Sequence, residues 1–237
     1  MTTNDVNNLP KNKFNAFLAS FTSESIMLGI LLAIVGGLLD AYTFIGKGGV
    51  FSNAQTGNIV LVGVYAFEMN WSRAVLHLLP IFAFIAGVIT SEIIKKKHSA
   101  VLISKWEHMV LVFEFIILFI IGFLPNSIPD SIVNISISFA TSLQYCAFKK
   151  LSEYPYATTM CTGNLRSASQ AAYTAFTKKD HEAAIKAVSY FLIIFSFISG
   201  AFLGGLLTFS IGDQAVWGAD VLLLLSLILL ELNKGQQ

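Results

Sequence analysis

Residues 36–58 read GGLLDAYTFIGKGGVFSNAQTGN: an apolar run carrying a carboxylate at Asp40, a glycine-rich break at Gly46, Gly48 and Gly49, then a Thr-Gly-Asn triplet at Thr56, Gly57 and Asn58. The triplet returns at Thr162, Gly163 and Asn164. Each copy opens a helix-compatible stretch, closing on Tyr65-Ala66-Phe67 in the first case and Tyr173-Thr174-Ala175-Phe176 in the second. The match extends outward in both directions. Upstream, residues 37–42 (GLLDAY) align with 141–146 (TSLQYC), and downstream Phe84-Ile85-Ala86-Gly87 aligns with Phe197-Ile198-Ser199-Gly200. Blocks matched in the same order predict a duplicated unit, and such a repeat governs how every motif inside it is read.

The surroundings of both copies are membrane-like. Of 237 residues, 55% are hydrophobic and 12% charged, roughly half the charged share of a soluble domain. The chain therefore lacks the polar residues that cover a water-facing surface. Apolar runs lie near residues 25–45, 74–94, 107–124, 131–149, 184–209 and 215–232. A helix needs about 20 residues to cross a ~30 Å hydrocarbon layer, so these six runs are read as six spans. The polar opening at 1–20 precedes a run too long for a signal-peptide core, and the first span is expected to be retained.

Segments 50–68 and 155–177 hold the triplets and admit two readings, further spans or loops that enter the membrane and return. Charge placement separates them. With both re-entrant and the N-terminus inside, 13 cations are cytoplasmic (Lys11, Lys13, Lys95, Lys96, Lys97, Lys105, Lys149, Lys150, Arg166, Lys178, Lys179, Lys186 and Lys234), leaving Lys47 and Arg73 outside. With both crossing, the positive-inside bias vanishes. A unit with an odd number of spans must appear in opposite orientations in its two copies. The expected fold is an all-α polytopic membrane protein of six transmembrane helices, two inverted three-helix repeats each with a TGN-containing re-entrant or broken helix. Its expected divisions are a cytoplasmic tail at 1–24, repeat 1 at 25–124, repeat 2 at 125–233 and a cytoplasmic tail at 234–237.

Residues 36–58 and the later ATTMCTGN (157–164), with Gln144 ahead of it, resemble the paired signatures of the YoaK-like family of bacterial integral membrane proteins, a domain of unknown function (1275). The resemblance covers nearly the whole chain. It implies a six-helix protein of the bacterial cytoplasmic (inner) membrane, and it implies no substrate.

Thr56 or Asn58, and likewise Thr162 or Asn164, could cap a helix, while Gly57 and Gly163 allow a tight entry turn. Two such helix N-termini entering from opposite faces would converge near the midplane and form a small polar site. The plainer alternative is two capped helices packed against neighbours. Asp40, roughly 8–9 Å inside the outer end of the first span by helical rise, either lines that site or caps a distorted helix end near Gly46. Gln144, its counterpart, offers a neutral amide to the same cavity or an interhelical hydrogen bond. Arg166 beside a helix terminus suits an anion, yet could equally pair with Asp40 or Glu114, or snorkel to the headgroups. Glu114, in mid-span, is expected to be satisfied by Ser, Thr or Arg neighbours, with a proton relay as its other reading.

The remaining features carry plainer expectations. Gly200 and Gly204 form a GxxxG pair, read as a close helix contact that could also serve a homodimer. Trp71, Trp106 and Trp217 are expected as interfacial belt residues. Cys146 and Cys161 fit no metal or redox pattern, and His77, His98, His108 and His181 have no ligand spacing, so no cofactor or metal is expected. The near-neutral charge argues against a nucleic-acid partner. No catalytic constellation is visible, and an enzyme is not expected. The leading reading is a small secondary transporter or channel for a small polar or anionic solute, partnered by the lipid bilayer. The competing reading is a non-transporting scaffold, sensor or accessory subunit.

Overall fold

The computed structural model describes residues 24–97, 106–125, 127–148, 150–151, 154–155 and 161–234. The tail at 1–23, Lys105, Lys149, residues 157–160 of the second signature and residues 235–237 lie outside the described residues. Among the described residues, the regular structure is helical apart from one two-residue pairing. Helices run in the order α1 (Glu24–Gly46), α2 (Gln55–Phe67), α3 (Trp71–Lys97), α4 (Trp106–Ile121), α5 (Asp130–Ala147), α6 (Cys161–Lys178), α7 (His181–Ile211) and α8 (Trp217–Lys234). Between α5 and α6, β1 (Lys150–Leu151) pairs antiparallel with β2 (Tyr154–Pro155), and a 3-10 turn at Gly212–Val216 joins α7 to α8.

The six apolar runs become α1, α3, α4, α5, α7 and α8, and the two TGN segments become α2 and α6. Among the described residues, three stretches are long and apolar enough to cross a membrane: Ile26–Gly46, Trp71–Lys96 and His181–Leu232. Helix α4, at 16 residues, reaches only about 24 Å at 1.5 Å per residue. Helix α5 has 18 residues and buries a polar face of Asn134, Ser138, Thr141, Ser142 and Gln144. That face is turned to the protein interior rather than to lipid.

Helix α1 is the central element. Two-thirds of its apolar window is buried, against 28% for the windows of α3 and of α7–α8, so α1 has protein on most sides and the others present apolar faces outward. Phe195, Phe202 and Phe209 on α7 and Phe82, Ile85 and Ile89 on α3 are exposed, which is the pattern of a surface solvated by hydrocarbon. Inside, Leu32, Leu39 and Tyr42 of α1 meet Leu111 and Leu118 of α4, Ile137 of α5 and Leu223 of α8 in one core.

The helix pairings have an internal regularity. Helix α1 packs on α7 and α3 on α5; α2 packs on α3 and α6 on α7; α8 packs on α1 and α4 on α5; α4 meets α8, and α1 meets α5. Exchanging α1–α4 for α5–α8 leaves this set of pairings unchanged.

The tightest crossings use small residues. A Cβ at Gly200 would run into the backbone of Ile34, one at Gly204 into Leu38, and one at Gly37 into Phe197 and Ala201. Gly87 in the α3–α5 crossing faces Phe139 and Ser142 in the same way. The GxxxG pair thus lies inside the chain, against α1, and is not an open dimer seam. The aromatic belt also needs correcting. Trp71 is exposed, but Trp106 is buried with Val110 and Leu143, because α4 turns it inward against α5. Trp217 lies over Gly122 and donates to the Phe119 carbonyl at 3.3 Å.

Candidate functional site

The break after α1 is made by Gly48 and Gly49 at φ +83° and +79°, a backbone region that costs glycine little. It turns residues 50–54 back along α1. There the Asp40 carboxylate receives them: its Oδ1 accepts from the Asn53 amide at 2.7 Å and from the Ala54 amide at 3.3 Å. Asn53 Nδ2 donates to the Gly36 carbonyl at 3.2 Å. From the opposite half, Ser138 donates to the Ser52 carbonyl and Asn134 Nδ2 to the Lys47 carbonyl, both at 2.9 Å. The polar face of α5 therefore holds the entry loop of α2.

This arrangement corrects the capping expectation. The cap position of α2 is Ala54, which makes no side-chain bond, and the triplet lies just inside the helix. The anion at that N-terminus is Asp40, supplied by another helix, where a negative charge complements the unpaired amides and the dipole. Asn58 turns inward and is fully buried. Its Oδ1 accepts from the Phe51 amide at 3.1 Å while its Nδ2 donates to the Phe51 carbonyl at 2.6 Å and to Gln55 Oε1 at 2.9 Å. His77 of α3 adds a contact from its Nδ1 to Asn58 Oδ1 at 3.3 Å and stacks on Tyr65. Thr56 points outward, exposed.

The two triplet glycines are not equivalent. A Cβ at Gly57 would overlap the Phe51 ring, whereas one at Gly163 meets nothing within 4 Å. Gly57→Ala is expected to displace Phe51 and cost about 1–3 kcal/mol, the usual range for overpacking. Gly163→Ala should be neutral or slightly stabilising. Unfolding of the two purified variants in detergent checks this, and equal losses would contradict it.

In the second half, Asn164 is buried but Thr162, Gly163 and Arg166 are exposed. Arg166 makes no ion pair among the described residues, so neither Asp40 nor Glu114 is its partner. Gln144 is buried with its Nε2 unpartnered, and the second oxygen of Asp40 is likewise buried and unpartnered. Cys161, at the start of α6, is half-buried. The fold thus buries Asp40, Asn58, Gln144 and Asn164 and ties Asp40 to the loop that opens α2, and it leaves Thr56, Thr162, Gly163 and Arg166 exposed.

Several participants were not singled out from the sequence. Lys47 was expected as an outside cation, yet it is 7% exposed and pairs with Asp213 at 2.7 Å and Asp130 at 3.6 Å. It ties the end of α1 to the start of α5 and to the 3-10 turn. Asn53, His77, Asn134 and Ser138 were also missed. Asn134 and Ser138 interrupt an apolar run, as does His77, which was read only for its lack of ligand spacing, and that interruption is the one signal these three offered, whereas Asn53 lies in the polar stretch before the first triplet.

A family model described as a protein of unknown function (DUF1275) matches residues 28–229. The chain belongs to that family. Among curated proteins, it is 29% identical over 140 residues to the UPF0700 transmembrane protein YoaK of Bacillus subtilis (strain 168). The match covers 58% of this chain and 62% of that protein, so the chain spans less than two thirds of its relative's length. No solved structure matches. The DUF1275 match takes in α1 from Leu28, both triplets and most of α8, so Asp40, Asn58, Gln144 and Asn164 all fall within it. A DUF1275 chain with such apolar helices is a transmembrane protein. The buried region holds amides, one carboxylate and a histidine, and among the described residues no group of three or more His, Cys, Asp or Glu could hold a metal ion. Its chemistry is hydrogen bonding and charge.

Proposed function

We propose that this protein is a small secondary transporter or channel for a small polar or anionic solute, with Asp40 and the two TGN helices lining a site near the middle of the bilayer. The observation that carries the reading is the α2 entry loop held on the buried Asp40 carboxylate, with the second carboxylate oxygen and the buried Gln144 amide nitrogen left unpartnered, inside a bundle with apolar outer faces. Half-helices that bring backbone donors to a buried polar point are how transporters make sites without exposing backbone to lipid. Because Asp40 already fills the acceptor role at α2, the donor left for a solute is the Gln144 amide.

In this reading six helices cross and α2 and α6 do not. The exchange-invariant helix pairings support two inverted three-span repeats, and the charge count supports cytoplasmic termini in the bacterial cytoplasmic (inner) membrane. We read the protein as non-enzymatic. The competing scaffold or sensor reading draws on the internal bonds of Asp40 and Asn58, which by themselves serve packing. Solute-dependent stabilisation separates the two. A solute held at 100 times its Kd should raise the stability of the purified protein by about 2.7 kcal/mol. A scan of small carboxylates, amides and inorganic anions with no response would favour the scaffold.

The topology has its own test. With Cys146→Ser leaving Cys161 as the sole thiol, and Gln55→Cys built separately without native cysteines, a membrane-impermeant thiol reagent applied to intact cells should label position 55. Cys161 should react only in inverted vesicles. Same-sided labelling would reject the inverted repeat.

A further inference from the structure

Away from the Asp40 region, helices α4 and α8 each bury one carboxylate in their shared contact. Glu114 is completely buried and Asp220 is 4% exposed. All four of their oxygens lack a hydrogen-bond partner, which overturns the expectation that Ser, Thr or Arg neighbours satisfy Glu114. Glu114 lies on the α4 face that carries Leu111 and Leu118, Asp220 lies on the α8 face that continues from Val216 of the 3-10 turn to Leu223, and those four apolar side chains share one buried core.

The other charged and titratable groups on the packed elements are occupied or turned elsewhere. Lys47 takes Asp130 of α5 and Asp213 of the 3-10 turn. On α4 and α8, His108 and Glu231 pair with each other at 3.2 Å. On α1, Asp40 holds the loop amides, and the neutral Tyr42 hydroxyl is buried without a partner. Cys146 and Tyr145 sit on the far part of α5, and Glu107 lies two helical turns from Glu114 on α4. No cation reaches the pair among the described residues.

Two like charges without a counter-ion or a donor do not persist in a buried environment. One proton resolves the conflict, since a protonated carboxyl becomes a donor to the other carboxylate. We propose that Glu114 and Asp220 form a proton-binding pair on the two helices exchanged by the internal repeat, a site separate from the TGN region. Two carboxylates with no further ligand suit a proton better than a divalent ion, which takes six or more oxygens. The pair stands on burial and geometry alone. That its proton is coupled to solute movement rests on the transport reading, and the two fail separately.

The experiment is infrared spectroscopy of the purified, detergent-solubilised full chain, joined to peptide mapping after treatment with a hydrophobic carbodiimide, which modifies protonated buried carboxyls. At neutral pH the wild type should show the carbonyl band of a protonated carboxyl and modification at Glu114 or Asp220. Both signals should fall about tenfold per pH unit beyond the titration midpoint. Glu114→Gln combined with Asp220→Asn should remove them, whereas Asp40→Asn should not. A wild type with neither signal, or a double variant that keeps the band, would overturn the proposal without any need for a variant to fold in the first case. Suppression of the modification by sodium but not choline at fixed pH would also overturn it, reassigning the pair to an alkali cation. In vesicles, a pair that titrates while solute movement ignores the proton gradient would leave the site and reject the coupling.

Discussion

Asp40→Ala is expected to lower the stability of the purified protein by about 2–6 kcal/mol. The alanine leaves the Asn53 and Ala54 amides, now 2.7 and 3.3 Å from Oδ1, without an acceptor in a buried loop, at roughly 1–3 kcal/mol for each bare donor. It also removes the anion from the N-terminus of α2. Asp40→Asn separates this structural duty from function. Its amide oxygen can still accept from the loop, so the variant should reach the membrane and keep most of the stability, yet it should change solute-dependent stabilisation, lowering it for a solute that donates to the free Oδ2 and raising it for an anion that the charge repels. Denaturant titration in detergent measures the first effect and a thermal shift with solute the second. An alanine variant as stable as wild type would remove Asp40 from the loop, and an asparagine variant with an unchanged solute response would remove its charge from the site.

Gly200→Val is expected to cost about 3 kcal/mol or more and to reduce accumulation in the membrane. The new side chain meets the Ile34 backbone, and backbone within a helix cannot step aside as a side chain can. Relief requires α1 and α7 to separate, which also loosens Gly37 from Phe197 and Gly204 from Leu38. Overpacking usually costs about 1–3 kcal/mol, and three linked contacts place this substitution at or beyond that range. Gly63→Ala is the control. Gly63 lies within α2 and a Cβ there meets nothing within 4 Å, so alanine should add about 0.5–1 kcal/mol. Similar behaviour of the two variants would show that the α1–α7 crossing is looser than its geometry.

Helix positions were readable because hydrophobic run length is a property of the chain alone. The six runs near 25–45, 74–94, 107–124, 131–149, 184–209 and 215–232 became six helices, and the triplets marked the starts of the two others. The glycine break after Asp40 was legible for the same reason. Local signals went wrong where a partner was needed. The triplet looked like a cap, since Thr and Asn are good capping residues, but the acceptor at α2 comes from Asp40, and Asn58 serves Phe51 instead. Trp106 looked interfacial because composition cannot say which side of a helix meets protein.

By itself, then, the sequence determined membrane-like character, helix number and order, the paired TGN segments and the family, all of which follow from composition, periodicity and local repetition. Only the tertiary structure decided which polar groups meet. Lys47 reaches Asp213, Ser138 reaches Ser52, Asn134 reaches the Lys47 carbonyl, and Asp40 receives the amides of Asn53 and Ala54. Each of these joins residues far apart in the chain. Their pairing depends on how helices cross, and the crossings depend on close packing at Gly37, Gly87, Gly200 and Gly204, where the absence of a side chain acts only once a second helix lies against it.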